Sequence, residues 1–227
     1  LKNNGEEDLG VEYVSSFALL GIDKEGLLST DEKLEVLIAR NAWQKELIWN
    51  RFSMDQLGMS ISQPDKVRRS SQTISVGNTG NWSTKNYLPM GCLKNKETDS
   101  ILFWQIEQNG SWYWEISDQD GHMYLQLSGP TEHQSHWWKN LKPGDTFASV
   151  PVSVGSACGD VEEAAGELTK YRRAIRRKNE DNEKLPVIFN DYMNCLWGDP
   201  TTEKELPLID KAKEAGCEYF CVDCGWY

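Results

Sequence analysis

The stretch from Ile101 to Pro130, ILFWQIEQNGSWYWEISDQDGHMYLQLSGP, alternates apolar and polar side chains in three runs broken by QNGS and DQDGH. A period of two sends successive side chains to opposite faces of a pleated strand, and Asn-Gly and Asp-Gly pairs supply the positive φ that tight hairpin turns require. The pattern predicts an antiparallel meander with turns at Asn109-Gly110 and Asp120-Gly121. KPGDTFASVPVSVGS adds a turn at Pro143-Gly144 and a further strand, so residues 70 to 157 read as one or two packed antiparallel sheets. Residues 33 to 60 place apolar side chains where a helix or broken strands would both fit; the surrounding sheet signals favour strands.

The pattern changes at Cys158. GDVEEAAGELTKYRRAIRRK carries acids at its start and bases at its end, the arrangement that complements a helix dipole, and predicts a helix. NEDNEK follows as a charged linker. LPVIFN then reads as a short apolar strand buried on both faces. Thr202 with Glu205 three residues on forms a capping box for EKELPLIDKAKEA, Gly216 ends that helix, and CEYFCVD is a second buried strand. Strand, helix and strand make a βαβ unit, which places ligands beyond the carboxyl ends of its strands, after Asn190 and after Val222.

A formal charge of -11 argues against nucleic acid or an anionic membrane as partner and favours a neutral polar ligand. No run reaches the roughly 18 apolar residues of a membrane span, and LKNNGEEDLG has no hydrophobic signal core, so the expected location is cytoplasmic. Six cysteines, four of them between Cys195 and Cys224, are expected as reduced thiols. Cys221 and Cys224 form a Cys-x-x-Cys, but a strand is the wrong setting for a redox pair, and a structural zinc site needs a second pair. The basic run KYRRAIRRK reads as a solvated helix face, and His122, His133 and His136 show no metal-ligand spacing, although HQSHWW has the make-up of a ligand-contacting loop. Ten tryptophans supply flat apolar faces that suit sugar rings as well as cores.

Strand parity puts Cys217, Tyr219, Cys221 and Asp223 on one face, so Asp223 sits at the lip of the second strand either as a helix cap or as a ligand carboxylate. Asp191 and Asp223 end neighbouring strands. That places both acids on one side of a sugar, whereas glycoside cleavage needs two carboxyls flanking the bond.

The segment LPVIFNDYMNCLWGDPTTEKELPLIDKAKEAGCEYFCVDCGWY resembles the first βαβ unit of the catalytic barrel in glycoside hydrolase family 36, the bacterial α-galactosidase family. The resemblance implies an antiparallel β-supersandwich over 1–157, a connecting helix and linker over 158–184, and over 185–227 the start of an incomplete (β/α)8 TIM barrel. The family ends its first barrel strand in Asn-Asn-Trp, where this chain has Asn190, Asp191 and Tyr192. It ends its second in Asp-Asp-Gly-Trp, where this chain has Asp223, Cys224, Gly225 and Trp226. By that resemblance Asp223 accepts hydrogen bonds from galactose hydroxyls and Tyr192 walls the pocket beside Asp191, with Trp197 and Trp226 as stacking or packing partners. Cys224 stands where the family has a second acid, and a thiol is a poor acceptor of sugar hydroxyls. The family's Lys-Trp-Asp nucleophile motif and its acid/base are absent from these 227 residues, so no catalytic residue is expected here.

The implied whole is a retaining α-galactosidase without metal or organic cofactor, homo-oligomeric, acting on α-galactoside oligosaccharides. Alternatives are an α-N-acetylgalactosaminidase, a transglycosidase of the raffinose synthase kind, or a non-catalytic carbohydrate-binding sandwich. Residues 79 to 91, TGNWSTKNYLPMG, read either as an ordinary loop with a packed Trp82 or as a loop reaching toward an active site.

Overall fold

The computed structural model describes residues 1–59, 72–119 and 121–227, so residues 60–71 and Asp120, on which parts of the strand and turn readings fall, lie outside the described residues. It divides into two compact units, Leu1–Arg172 and Arg173–Tyr227. The strands are β1 (Leu9–Val11), β2 (Ser15–Leu20), β3 (Leu34–Arg40), β4 (Ile48–Ser53), β5 (Ile74–Asn78), β6 (Tyr87–Asn95), β7 (Ser100–Ile106), β8 (Trp112–Gln119), β9 (His122–Ser128), β10 (Lys139–Leu141), β11 (Val152–Cys158), β12 (Ile188–Asn190) and β13 (Tyr219–Cys221). The helices are α1 (Thr30–Lys33), α2 (Glu132–Ser135), α3 (Val161–Ile175), α4 (Glu180–Lys184) and α5 (Thr202–Glu214).

The first unit is an antiparallel sandwich. One sheet has the order β11-β7-β6-β3-β4 and the other β2-β9-β8-β5, with β1 and β10 pairing separately. Val36 and Ile38 of β3, Trp104 and Ile106 of β7, Trp112 and Trp114 of β8, and Leu125 and Leu127 of β9 meet in the core between the sheets. The five-stranded sheet is covered on its other face too, where Leu37, Ala39, Cys92 and Phe103 pack against Ala164 and Leu168 of α3. Burial on both faces explains why residues 36–39 do not alternate: they are strand, as the neighbouring sheet signals predicted, with Val36 and Ile38 in the core between the sheets and Leu37 and Ala39 in the layer against α3.

The predicted hairpin at Asn109-Gly110 is not formed. β7 pairs with β6 and β11, while β8 pairs with β9 and β5, so residues 107–111 carry the chain from one sheet to the other. Gly110 accordingly does not take a positive φ. The cause is the pair Trp104 and Trp114, both fully buried and packed edge to face at 5.2 Å across the interlayer core, an arrangement a flat hairpin would not permit. The second predicted hairpin does form: Gln119 pairs with His122 around Gly121, whose φ is 77°. At Pro143-Gly144 the amide of Asp145 donates to Lys142 O at 2.9 Å with Gly144 at φ 85°, which forms the turn that the sequence predicts.

α3 opens where Glu163 reaches back to accept from the amide of Asp160, and Arg51 of β4 donates to Asp160 and Glu35. Within the same unit Arg172 donates to Gln105, and Tyr171 donates to Glu107. These contacts fasten the helix onto the five-stranded sheet.

In the second unit β12 and β13 pair in parallel, Ile188 opposite Tyr219 and Asn190 opposite Cys221, with Phe189 and Phe220 stacked at 5.2 Å. The charged linker NEDNEK carries a short helix of its own: Asn179 accepts from the amide of Asp181 and caps α4. α5 ends as predicted, Gly216 at φ 85° donating to Lys213 O and Cys217 donating to Ala212 O, the double bond of a Schellman cap. Its start differs: Thr201, not Thr202, is the N-cap, and Glu205 forms no capping box. The two strands are also not buried on both faces within this unit, since Ile188 is 59% and Tyr219 50% exposed. One helix and two strands do not carry enough apolar surface to cover such faces.

Candidate functional site

The carboxyl ends of β12 and β13 bring Asn190, Asp191, Tyr192 and Asp223 together. The amide of Asp191 donates to Cys221 O at 3.2 Å, extending the parallel ladder by one rung. Asp191 is only 2% exposed, and its Oδ1 accepts from the amide of Asp223 at 2.9 Å. Asn190 works in both directions: its Oδ1 accepts from the amide of Tyr192 at 2.9 Å, and its Nδ2 donates to Asp223 Oδ2 at 2.8 Å. The backbone and the carboxylate of Asp223 are thus both fixed by residues at the end of β12, while Asp223 stays exposed to solvent.

Of the remaining predicted site residues, Tyr192 and Cys224 both come close to Gly198 in the turn after β12. Tyr192 opens an irregular turn in which Asn194 and Trp197 take left-handed backbone, and Trp197 meets Tyr192 edge to face at 5.8 Å. Trp226 is 67% exposed and packs edge-on against Tyr227. The Cys224 thiol lies 3.4 Å from the Tyr227 hydroxyl, and that contact pushes the tyrosine pKa up. All six cysteines are free thiols.

The turns after the two strands touch backbone to backbone. Gly225 has φ 82°, and a Cβ there would fall 2.0 Å from the carbonyl oxygen of Gly198. Gly225→Ala is therefore expected to push the two turns apart at a local cost of about 1–3 kcal/mol. Hydrogen exchange of the peptide spanning Val222 to Trp226 should speed up while that of β8 is unchanged; equal exchange would show that the two turns are not held by this contact.

Two participants escaped the sequence reading. Asn190 was read only as a strand end. Glu205 was assigned to a cap, yet it occupies the same face of α5 as Leu208 and Ala212, at the spacing of an inward stripe. A carboxylate on such a stripe is the signal that marks it.

Elsewhere, in the first unit, a cavity of about 250 Å3 opens on the outer face of β8 and β9, lined by Tyr13, Tyr113, Glu115, Gln126 and His133. Of the three histidines only His133, from the HQSHWW stretch, lines it. Tyr113 and Tyr124 both donate to Glu115, and burial followed by that bond raises both tyrosine pKa values. The ring of Trp82 is 60% exposed rather than packed, while its loop is anchored by Asn78 donating to Trp82 O and Trp112 donating to Ser83 O.

No protein-family model matches the chain. An α-galactosidase of Lactobacillus acidophilus is 23% identical over 233 residues, covering 99% of this chain and 28% of its own length. The structure superposes on an α-galactosidase of glycoside hydrolase family 36 from Geobacillus stearothermophilus, solved in complex with raffinose, with a TM-score of 0.76 at 16% identity over 100% of this chain and 29% of that one. It also superposes on the galactosidase domain of an α-galactosidase-sucrose kinase, with a TM-score of 0.74 at 20% identity over 28% of that chain. The chain therefore spans less than a third of the relatives it matches. Across its whole length it has the fold of the N-terminal part of family 36 α-galactosidases, the family its strand–helix–strand segment resembles in sequence.

Proposed function

We propose that this chain is the N-terminal portion of a retaining α-galactosidase-like glycoside hydrolase that removes terminal α-linked galactose from oligosaccharides. The observation that carries the reading is Asp223: an exposed residue whose carboxylate is held by Asn190 and whose amide is held by Asp191, at the strand end whose following turn carries the ring pair of Tyr192 and Trp197. An anionic acceptor next to aromatic faces, in an acidic chain, suits a neutral ligand rich in hydroxyl donors. The exposed faces of β12 and β13 fit a role as the first two strands of a barrel whose later strands cover them, and the nucleophile and the acid/base belong to those later strands. In such an enzyme one carboxylate forms a glycosyl-enzyme intermediate while a second donates and then accepts a proton. Tyr192 would wall the sugar, and Trp197 and Trp226 would stack on it or support it.

Cys224 favours a second reading within the same chemistry. It replaces the acid that the family pattern pairs with Asp223, so the hydroxyl that acid would bind loses its acceptor, and an α-linked N-acetylgalactosamine becomes a candidate substrate. The test is to express the complete polypeptide carrying this sequence and follow hydrolysis of nitrophenyl α-galactoside and α-N-acetylgalactosaminide by absorbance and anomer-resolved NMR. Release of galactose with retained configuration is the expected result. Release of N-acetylgalactosamine alone would replace the first reading by the second, and release of neither sugar would overturn both.

A further inference from the structure

Glu205 is an acid of the second unit whose carboxyl is placed against another carboxyl. It lies past the capped start of α5, and neither of its oxygens reaches solvent or any N–H or O–H group recognised as a hydrogen-bond partner. They lie against the side chain of Asp191. Asp191 in turn is the group whose Oδ1 accepts the amide of Asp223. Two buried carboxyls in contact do not both ionise at low cost, because each charge disfavours the other and burial disfavours both. A single proton between them turns the contact into a hydrogen bond.

We propose that Glu205 is a positioning residue: its protonated carboxyl donates to Asp191 and holds the Asp191 side chain in the orientation that accepts the Asp223 amide, so that the carboxylate of Asp223 is presented at a fixed point. The chain of contacts runs from helix α5 through the end of β12 to the end of β13, and none of its links is local in sequence. The effect on sugar binding rests on the reading given under Proposed function; the effect on Asp223 does not.

The charged groups around the pair are few. From the end of β12 comes Asp191 itself. Beyond β13 stands Asp223, bonded to Asn190, and on α5 the neighbouring Lys204 is already paired with Asp199. Burial, then the hydrogen bond and charge of Asp191, raise the Glu205 pKa above its ordinary 4.5. A carboxyl with a raised folded pKa stabilises the fold fully below its unfolded value and loses that contribution as pH rises through the folded value. The Asp223 arm should therefore loosen on the alkaline side of the Glu205 titration.

The experiment uses the complete polypeptide as wild type, Glu205→Gln and Glu205→Ala. It measures the hydrogen-exchange protection of the Asp223 amide across pH 4 to 8, normalised to intrinsic rates, together with KM and kcat for an α-galactoside. Glu205→Gln keeps a donor that does not titrate, so protection should match wild type at low pH and stay flat as pH rises. Glu205→Ala should lower protection about tenfold, the loss expected for a hydrogen bond to a charged group, and raise KM by a similar factor with kcat nearly unchanged. Wild type should move from the first behaviour toward the second through the Glu205 titration. Asp223 protection that is the same in all three proteins, or equally lost in Glu205→Gln and Glu205→Ala, would overturn the proposal. If no α-galactoside is cleaved by any of them but the exchange pattern holds, the positioning role stands and the substrate reading falls. A Glu205→Ala protein that does not fold leaves the comparison of wild type with Glu205→Gln, where parallel pH profiles would be fatal.

Discussion

Replacing Asp223 by Asn in the complete polypeptide is expected to lower kcat/KM for α-galactosides about 100-fold, the loss of a charged acceptor worth about 1.5–3 kcal/mol in a hydrogen bond. The substitution keeps the side chain's size. It leaves intact the amide bond from Asp223 to Asp191 Oδ1, so backbone placement should not change. What changes is the acceptor: the carboxylate that takes the Nδ2 proton of Asn190 becomes an amide with half the accepting capacity and no charge. Because Asp223 is exposed, thermal stability should move little, which separates this effect from unfolding. Steady-state kinetics beside a thermal melt decides it, and an unchanged kcat/KM would remove Asp223 from the sugar site.

Trp104→Ala is expected to destabilise the sandwich unit by about 3–5 kcal/mol, the range for deleting a fully buried aromatic side chain. Trp104 is completely buried and meets Trp114 edge to face, so the deletion leaves a cavity in the middle of the interlayer core that neighbouring rings cannot fill by small shifts. Its ring also lies over Gly91, where an added Cβ would come within 2.5 Å of the indole. Gly91→Ala should hence be destabilising on its own and much less so combined with Trp104→Ala, a coupling that a double-mutant cycle in urea measures. Trp104→Phe should cost less than Trp104→Ala, partly because the indole N–H has no partner and its removal relieves an unsatisfied buried donor. Additive costs for Gly91→Ala and Trp104→Ala would show that the two positions do not share this contact.

Much of the architecture was legible in the chain. The alternation and the Asp-Gly turn gave β8 and β9, the Pro-Gly turn gave the approach to β11, and the acid-to-base gradient gave α3. In the second unit, the order strand, helix, strand and the Gly216 stop were read correctly, because each of these depends on a residue's own backbone preference or on neighbours within one turn. The strand-helix-strand segment also carried the family resemblance, and with it the placing of Asp223 at a strand end.

Three features were not legible, and for one reason. QNGS has the composition of a hairpin, but whether two successive strands pair or part company depends on which sheet each joins. Here Trp104 and Trp114 decide it from opposite layers. Residues 34–40 were read as strand from their neighbours, but that this strand is covered on both faces, by the opposite sheet and by α3, was not legible. Glu205 resembles a cap partner in a window of four residues; only the docking of α5 on β12 turns it toward Asp191. Sequence by itself determined the local elements and their order, since turns, caps and periodicity act over a few residues. Tertiary structure alone decided which faces are buried twice, which strands change sheets and which carboxyls meet, since those depend on contacts between residues distant along the chain.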